Sequence, residues 1–291
     1  MLADVMIDRS QTATLLISCP DRPGLVAALA QLLYGHGANI LDADQYTDLD
    51  AGQFFQRIHF DMSDLQPDRA TLEAAIEDVA QRLQMRYRLS YSWHQKKVAI
   101  LVSKYDHCLH DLLLRKRAGE LRCDIPLIVS NHDDLRPVAE GYGIRFVHLP
   151  VTAETRAKQE SEVQELLVRE QIDLVVLARY MQVLSADFCE RFAQRIINIH
   201  HSFLPAFVGG KPYHQAHKRG VKIIGATAHY ATSNLDQGPI IEQDVTRVSH
   251  RDNVADLLRQ GRDLERMVLA SAVRSHLNDR VLVYGNKTIV F

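Results

Sequence analysis

The sequence has few of the features that mark specialised classes of protein. Its four cysteines, Cys19, Cys108, Cys123 and Cys189, are scattered along 291 residues and form no Cys-x-x-Cys pair. This argues against a disulfide framework or a cysteine-based zinc site, and we expect free thiols in a reducing compartment. The formal net charge is only −2, which gives no electrostatic basis for binding nucleic acid or an anionic membrane.

Long apolar runs are also missing. No stretch approaches the roughly 20 residues that a membrane-spanning helix needs. The first eight residues have neither the basic segment nor the apolar core of a signal peptide, so we expect a cytoplasmic protein. The remaining composition, 46% hydrophobic and 24% charged, is typical of a globular protein. The length allows one large domain or two of ordinary size.

Residues 12–93 contain strand-like and helical segments in the order β-α-β-β-α-β. An apolar run at 12–18 leads into a turn at 21–24, which opens a helix with apolar residues at helical spacing. Two strand-like runs, a helix that starts at Pro67 and an alternating run at 86–93 complete the series. This order is typical of the ferredoxin-like split motif.

Beyond a polar joint at 95–97 the pattern changes to short apolar runs separated by helical stretches. Such a pattern indicates a mostly parallel, doubly wound sheet that is covered on both faces. We therefore predict an α/β protein with a ferredoxin-like domain at 1–94 and a Rossmann-like domain at 95–291. Towards the end we predict a long helix to about Asn278 and a hairpin at 281–291. Ligands bind such sheets beyond the carboxyl ends of the strands.

The run Asn-Ile-His-His-Ser-Phe-Leu-Pro at 198–205 follows an apolar strand directly. It places the amide of Asn198 and the imidazole of His200 two residues apart. Downstream, Asp236 stands in a Gly-Pro loop that leads into another apolar run. These three groups can make and break a tetrahedral carbonyl adduct, so we predict acyl chemistry on a small molecule. The alternative is a turn cap, a buried polar histidine and a turn aspartate, and the spacing alone leaves both interpretations open.

The pattern Asn-x-His-x-Ser-x-Leu-Pro with a downstream Asp-x-Gly-Pro-Ile resembles the active site of the folate-dependent formyltransferases. The resemblance runs from about Val98 to the C-terminus. It implies the formyltransferase fold, a 10-formyltetrahydrofolate substrate and no metal or other cofactor. It assigns catalysis to Asn198, His200 and Asp236. Asn198 and His200 would stabilise the oxyanion, and Asp236 would hold His200 charged or take the proton of the nucleophile.

The resemblance also implies which residues hold the substrate. A loop after another strand would hold the pterin ring through backbone groups and apolar side chains, although a Met and Leu run at a helix start is more often core. A lone buried histidine is likewise the simpler explanation of His229. The implied substrate-binding residues are Tyr180, Met181, Gln182, Val183, Leu184, Ser202, Thr227, His229, Gln237 and Gly238.

Four histidines offer a competing interpretation as a metal site. His214 and His217 lie three apart on a predicted helix, and His200 and His201 are adjacent in sequence. No carboxylate or cysteine completes the set at a useful spacing. We therefore expect no metal.

The turn at 21–26, with Gly-Ala-Asn-Ile at 37–40, resembles the ACT regulatory domain. The resemblance implies an amino-acid effector and a homo-oligomer, because ACT domains bind small amino acids at subunit interfaces. The implied effector-binding residues are Asp21, Gly24, Leu25, Asn39 and Ile40. The alternative is that Gly24 and Asn39 simply permit tight turns.

The loop 103–109 departs from the formyltransferase pattern. In the branch that acts on glycinamide ribonucleotide this turn is rich in glycine and cradles the phosphate of the acceptor. Here Lys104, Tyr105 and His107 stand in place of the glycines. We therefore predict that water is the acceptor. The enzyme would hydrolyse 10-formyltetrahydrofolate to formate and tetrahydrofolate, supplying formate for purine biosynthesis and balancing the one-carbon pool.

Two alternatives stay open. One is a formyltransferase that moves the formyl group to a small amine. The other is a silent folate- or amino-acid-binding sensor, which the complete set of Asn198, His200 and Asp236 disfavours, because binding alone does not need all three.

Overall fold

The computed structural model describes residues 11–206 and 212–291. The chain forms two compact units. The first comprises the described residues up to Gln95 together with two C-terminal segments, 279–282 and 289–291. The second comprises the described residues within 96–278 together with 283–288.

The first unit is a four-stranded antiparallel sheet of order β2-β3-β1-β4 with two helices. Alternate residues of one strand, Ala13, Leu15 and Ile17, share a buried core with Leu29 and Ile76 of the helices. The predicted ferredoxin-like order is therefore confirmed. The elements are β1 (Thr12–Pro20), α1 (Leu25–Gly35), β2 (Asn39–Asp48), β3 (Gln53–Asp61), α2 (Arg69–Leu83) and β4 (Arg86–Tyr91).

The C-terminal segments complete this first unit through a buried arginine. Arg57 on β3 donates from Nε to the carbonyl of Asp279 at 3.1 Å and from Nη1 to the carboxylate of Asp42 at 2.7 Å. A buried guanidinium must be paired in this way. The two partners of Arg57 are therefore far apart in the sequence, and the sequence pattern does not indicate that they meet.

The second unit is a seven-stranded sheet of order β11-β10-β9-β8-β5-β6-β7. Strands β7, β6, β5, β8 and β9 run parallel to one another. Strand β10 runs antiparallel to β9, and β11 runs antiparallel to β10. The predicted mostly parallel sheet is confirmed. The elements are β5 (Lys97–Val102), α3 (His107–Arg117), β6 (Asp124–Ser130), α4 (Arg136–Gly141), β7 (Arg145–His148), α5 (Arg156–Arg169), β8 (Leu174–Leu177), α6 (Ala186–Arg191), β9 (Ile196–His200), α7 (Pro212–Arg219), β10 (Ile223–Tyr230), β11 (Ile240–Arg247) and α8 (Val254–Leu277).

The central strands are buried on both faces, which explains their unbroken apolar sequences. Every residue of 98–102 is at most 2% exposed. A two-stranded hairpin, β12 (Val281–Tyr284) and β13 (Lys287–Val290), ends the chain as predicted. The four cysteines are free and buried. Across residues 11–206 and 212–291, no helix combines the length and apolarity needed to cross a membrane.

The strand order reverses at β5, and this reversal positions the site. The chain proceeds from β5 to β6 and β7 on one side, then returns to β8 and β9 on the other. The connections leaving β5 and β8 therefore diverge and open a crevice beyond the carboxyl ends of these strands. The loop after β5, the loop after β8 and the end of β9 meet there.

Candidate active site

The pairing of β9 with β10 brings two predicted site residues together. These strands are antiparallel, with Asn198 opposite His229 and His200 opposite Thr227. Directly opposed residues project to the same face of a sheet. The amide Nδ2 of Asn198 accordingly lies 3.2 Å from Nε2 of His229.

Asp236 reaches these residues from the loop between β10 and β11. Its backbone is left-handed, with φ of 56°, a conformation that Asp adopts more readily than most residues. A side chain at Gly238 would overlap the carbonyl of Tyr230, so glycine lets the loop close against β10. The carboxylate then lies 3.2 Å from Nδ1 of His200 and 3.7 Å from Nε2 of His229.

The electrostatics of this cluster keep the carboxylate ionised. Burial raises the pKa of Asp236, but the hydrogen bond from His200, with the imidazole of His229 also close by, outweighs burial, and the pKa lies well below its usual range. His229 donates from Nδ1 to the carbonyl of Tyr230 at 3.0 Å. Its Nε2 is then free to accept the amide hydrogen of Asn198. His229 thereby fixes the orientation of that amide.

His200 has one anchored nitrogen and one without a partner. Nδ1 faces Asp236, while Nε2 is buried and has no hydrogen-bond partner among the described residues. Buried polar atoms are nearly always paired. Asn198, His200 and Asp236 all line a cavity of about 640 Å³. Nε2 of His200 is therefore suited to meeting a ligand in that cavity.

The loop after β8 supplies the apolar part of the cavity. Met181 and Val183 are 54% and 49% exposed and, with Gln182 and Leu184, line the cavity. The N–H of Met181 donates to Oγ of Ser103 at 2.9 Å, which ties this loop to the end of β5. Exposed apolar side chains on a fixed loop suit a planar heterocycle. Tyr180 also lines the cavity, but its hydroxyl accepts from Gln159 at 3.1 Å.

Of the other predicted substrate residues, only one lines the cavity. His229 lines the cavity, whereas Ser202, Thr227, Gln237 and Gly238 do not. Thr227 is fully buried and donates to the carbonyl of Ser202 at 2.9 Å, and Ser202 donates to the carbonyl of Ala206 at 2.8 Å. These hydrogen bonds hold the loop after β9 against β10. Ser202 and Thr227 therefore support the scaffold of the site.

A buried charged cluster lines the same cavity, and the sequence patterns missed it. Glu265 on α8 is 2% exposed, and His107, Arg179 and Tyr213 surround its carboxylate. Burial raises the pKa of Glu265, but the hydrogen bond from His107 and the charge of Arg179 lower the pKa below its usual value. The feature of the sequence that could have identified Glu265 is its position on the apolar face of a long helix, one turn after Gly261.

Part of this cluster has the composition of a metal site. Among the described residues, His107, Cys108 and Glu265 bring ligand atoms within 4.8 Å of one another. However, burial and the nearby Glu265 raise the pKa of the Cys108 thiol well above its usual value, and metals bind the thiolate. Arg179 already places a positive charge 3.4 Å from the carboxylate. The cluster is better explained as a hydrogen-bonded network. Of the two histidines on α7, His214 lines the cavity.

The predicted effector residues lie around the start of α1 and of β2. Gly24 precedes α1 with φ of 92°, a left-handed conformation that favours glycine. Asp21, Gly24, Asn39 and Ile40 are exposed, while Leu25 is buried in the core. Leu25 therefore cannot offer its side chain to an effector in this conformation.

Comparisons with known proteins define the class. Residues 96–273 match the formyl transferase family model, and residues 13–81 match the ACT domain model. A glycinamide ribonucleotide transformylase from Symbiobacterium toebii is 29% identical with a TM-score of 0.66, covering 70% of this chain and 98% of its own. The chain is thus a formyl transferase-type protein with an N-terminal ACT domain.

Full-length relatives narrow the family. The formyltetrahydrofolate deformylase of Synechocystis sp. is 57% identical over 280 residues, covering 96% of this chain and 98% of its own. The formyltetrahydrofolate deformylase of Bacillus subtilis is 50% identical over 278 residues, covering 95% of this chain and 93% of its own. The crystal structure of a formyltetrahydrofolate deformylase from Pseudomonas syringae pv. tomato is 48% identical with a TM-score of 0.94, covering 96% and 94%. The chain belongs to the formyltetrahydrofolate deformylase family.

The site also makes a prediction about stability and pH. Burial, followed by the charge of Arg179, lowers the pKa of His201 from 6.5 to about 4. The unfolded chain therefore binds more protons between these values, so stability is full above pH 6.5 and falls as the pH drops towards 4. Replacing His201 with Asn removes this loss. Between pH 7 and 4.5 the wild type should lose about 2 kcal/mol more unfolding free energy than His201→Asn, measured by urea titration.

His110→Asn is the matched control, because His110 is half-exposed on α3. This variant shows whether the loss of a histidine at another position also changes the pH dependence. A parallel stability loss in the wild type and in His201→Asn would show that His201 is not held neutral by the fold.

Proposed function

We propose that this chain hydrolyses 10-formyltetrahydrofolate to formate and tetrahydrofolate. The observation that carries the proposal is the arrangement of His200: Asp236 anchors one ring nitrogen and the other is unpartnered at a cavity that Asn198 also lines. This arrangement suits attack on a carbonyl group. Membership of the deformylase family supports the choice of substrate.

Asn198 and His200 stabilise the oxyanion in the proposed mechanism. As water attacks, the formyl oxygen accepts hydrogen bonds from the Asn198 amide and from protonated Nε2 of His200. His229 acts as a positioning residue, because its Nε2 orients the amide of Asn198. The carboxylate of Asp236 holds the imidazolium of His200 in place.

Proton transfer accompanies the changes in bonding. The water oxygen bonds to the formyl carbon, and the water gives up a proton to Asp236. The low pKa of Asp236 makes it a weak base towards free water, but the water becomes strongly acidic as its bond to carbon forms. The bond from carbon to N10 then breaks, and His200 supplies the proton that N10 needs.

The remaining predicted residues divide into two sites. The loop 180–184 holds the pterin ring, with Met181, Val183 and Leu184 as apolar walls. Residues 1–94 serve as the ACT regulatory domain of a homo-oligomer in the cytoplasm, and 95–291 form the catalytic domain, with no metal. The exposed residues Asp21, Gly24, Asn39 and Ile40 receive a small amino acid, such as glycine or methionine.

A titration of the full-length enzyme tests the regulatory site. Glycine or methionine should change the rate of formate release at fixed folate concentration, and Asn39→Ala should weaken the response at least about tenfold, the usual scale of allosteric coupling. Asp44→Ala, on the same exposed strand, is the matched control and should keep the wild-type response. Equal responses in both variants would remove Asn39 from the effector site.

Hydrolysis is favoured over transfer because the loop after β5 lacks glycines. Tyr105 and His107, which follow β5, both line the cavity, where a phosphate would require close approach of backbone amides. The formate released would supply purine biosynthesis and balance the one-carbon pool.

The decisive experiment is a product assay without any acceptor. Purified enzyme and 10-formyltetrahydrofolate alone should give formate and tetrahydrofolate in equal amounts. Added glycinamide ribonucleotide should neither accelerate folate consumption nor become formylated, because no glycine loop is present to bind its phosphate. Formylated ribonucleotide appearing as fast as formate would replace the hydrolase assignment with the transferase one.

The adjacent histidines provide a matched pair for the mechanism. His200→Ala should lower kcat by on the order of 10²–10³, the usual cost of removing one oxyanion donor. His201→Ala should have a much smaller effect, because His201 contacts neither Asp236 nor Asn198 in the hydrogen-bonded cluster. Tetrahydrofolate affinity should change little in either variant. Equal losses of kcat would mean that both imidazoles take part in the chemistry.

A further inference from the structure

We propose that Glu265 organises a selectivity wall, formed with His107, Arg179 and Tyr213, that admits water to the formyl carbon and excludes larger nucleophiles. The inference rests on the proposed function and names the residues that decide which nucleophile the same cavity accepts. Four observations support it: the bonding of Glu265, the glycine opposite Tyr213, the shared cavity and the connection to His200.

Both carboxylate oxygens of Glu265 are occupied. Oε2 accepts a hydrogen bond from Nε2 of His107 at 2.8 Å, and Oε1 accepts one from the hydroxyl of Tyr213 at 2.9 Å. Nε of Arg179 lies 3.4 Å from Oε2. A buried carboxylate is tolerated when it is paired and hydrogen-bonded. These partners come from α3, from the loop after β8 and from α7, so Glu265 on α8 joins three separate segments of the chain.

Gly261 makes room for this network. It lies one turn before Glu265 in the interior of α8, where glycine costs about 1 kcal/mol relative to alanine. A side chain at this position would overlap the ring and hydroxyl of Tyr213. The helix thus gives up some intrinsic stability at the point where Tyr213 must pass to reach Glu265. This close fit indicates that the position of Tyr213 is closely specified.

The wall borders the reacting centre. All four wall residues line the cavity that contains Asn198, His200 and Asp236. The ring of His201 lies between the two groups, with its centroid 5.2 Å from that of His200 and 6.2 Å from that of Tyr213. The loop 181–184 provides the apolar lining that suits the pterin. In this proposal the polar wall is the side from which a nucleophile approaches.

The wall closes space rather than binding a second substrate. Glu265 has no oxygen left without a partner, and the ring of Tyr105 covers the Arg179 guanidinium at 5.1 Å. Nε of Arg179 is buried without a hydrogen-bond partner among the described residues, but it is a donor. The N–H groups of an incoming amine need acceptors, and both oxygens of Glu265 are already taken. Breaking a buried charged network is costly. Water needs no such space.

The reaction itself does not distinguish the two nucleophiles. An amine nitrogen would bond to the formyl carbon, the bond from carbon to N10 would break, the amine would lose a proton and N10 would gain one. The products would be an N-formyl amine and tetrahydrofolate. Because Asn198, His200 and Asp236 can serve either route, access decides the outcome.

The test is a partition experiment on the full-length enzyme. Each variant is incubated with 10-formyltetrahydrofolate and an excess of glycinamide, a small primary amine, and N-formylglycinamide and formate are quantified. The wild type should give formate. His107→Ala opens the wall directly, and Gly261→Ala displaces Tyr213. In each variant the ratio of N-formylglycinamide to formate should rise at least about tenfold, a typical effect of changing pocket shape.

Two control variants match these changes. His110→Ala makes the same substitution at a half-exposed position of the same helix. Gly141→Ala adds the same methyl group to a helical glycine with open space around it. Both should keep the product ratio of the wild type. Tyr213→Phe keeps the ring and removes only the hydrogen bond to Oε1 of Glu265, so it provides a third variant with a smaller rise in the ratio.

The outcomes separate this inference from the proposed function. If the wall variants are folded and active but keep the ratio of the controls, the wall does not select the nucleophile. If they bind tetrahydrofolate yet release neither product, the cluster serves the chemistry itself and the inference is wrong. A wild-type enzyme that releases no formate without an acceptor would instead overturn the proposed function.

Discussion

The antiparallel pairing of β9 with β10 is the constraint on which the site depends. The strands from β7 to β9 across the sheet are parallel, and β10 is the first to run in the opposite direction. Residues of β9 and β10 therefore lie directly opposite each other in pairs. That register sets Asn198 against His229 and orients the amide. It also positions the following loop, whose glycine allows Asp236 to close on both histidines. A slip of one residue would turn the side chains of Asn198 and His200 to the other face.

Two carboxylates in one cavity, those of Asp236 and Glu265, have opposite consequences. Asp236 and Glu265 both stay ionised because each accepts from one histidine, Asp236 from His200 and Glu265 from His107, which outweighs burial. Asp236 anchors one nitrogen of His200 and leaves the other free for a ligand. Glu265 instead uses both its oxygens within the protein. Under the proposed function, the first arrangement supplies a reactive group, and the second forms a surface beside it whose polar groups are already bonded.

The sequence predicts the sheet and the residues at strand ends better than it predicts buried polar contacts. Apolar runs report burial, and Asn198, His200 and Asp236 could be found because each follows or precedes such a run. The partners of Glu265 could not, because they lie 158 and 52 residues away along the chain. Arg57 and Asp279 are separated by 222 residues. Hydrophobic periodicity carries no information about which buried polar group meets which.

The proposed wall also offers an explanation of how one fold can serve two reactions. In the proposed mechanism the strands fix the groups that stabilise a tetrahedral adduct, and these groups can act whether oxygen or nitrogen attacks. The surrounding helices α3, α7 and α8 are not part of the strand pairing that sets the register. In this chain they meet at a single carboxylate, Glu265. Under the proposed function, the choice of nucleophile therefore depends on side chains that need not touch the reacting atoms.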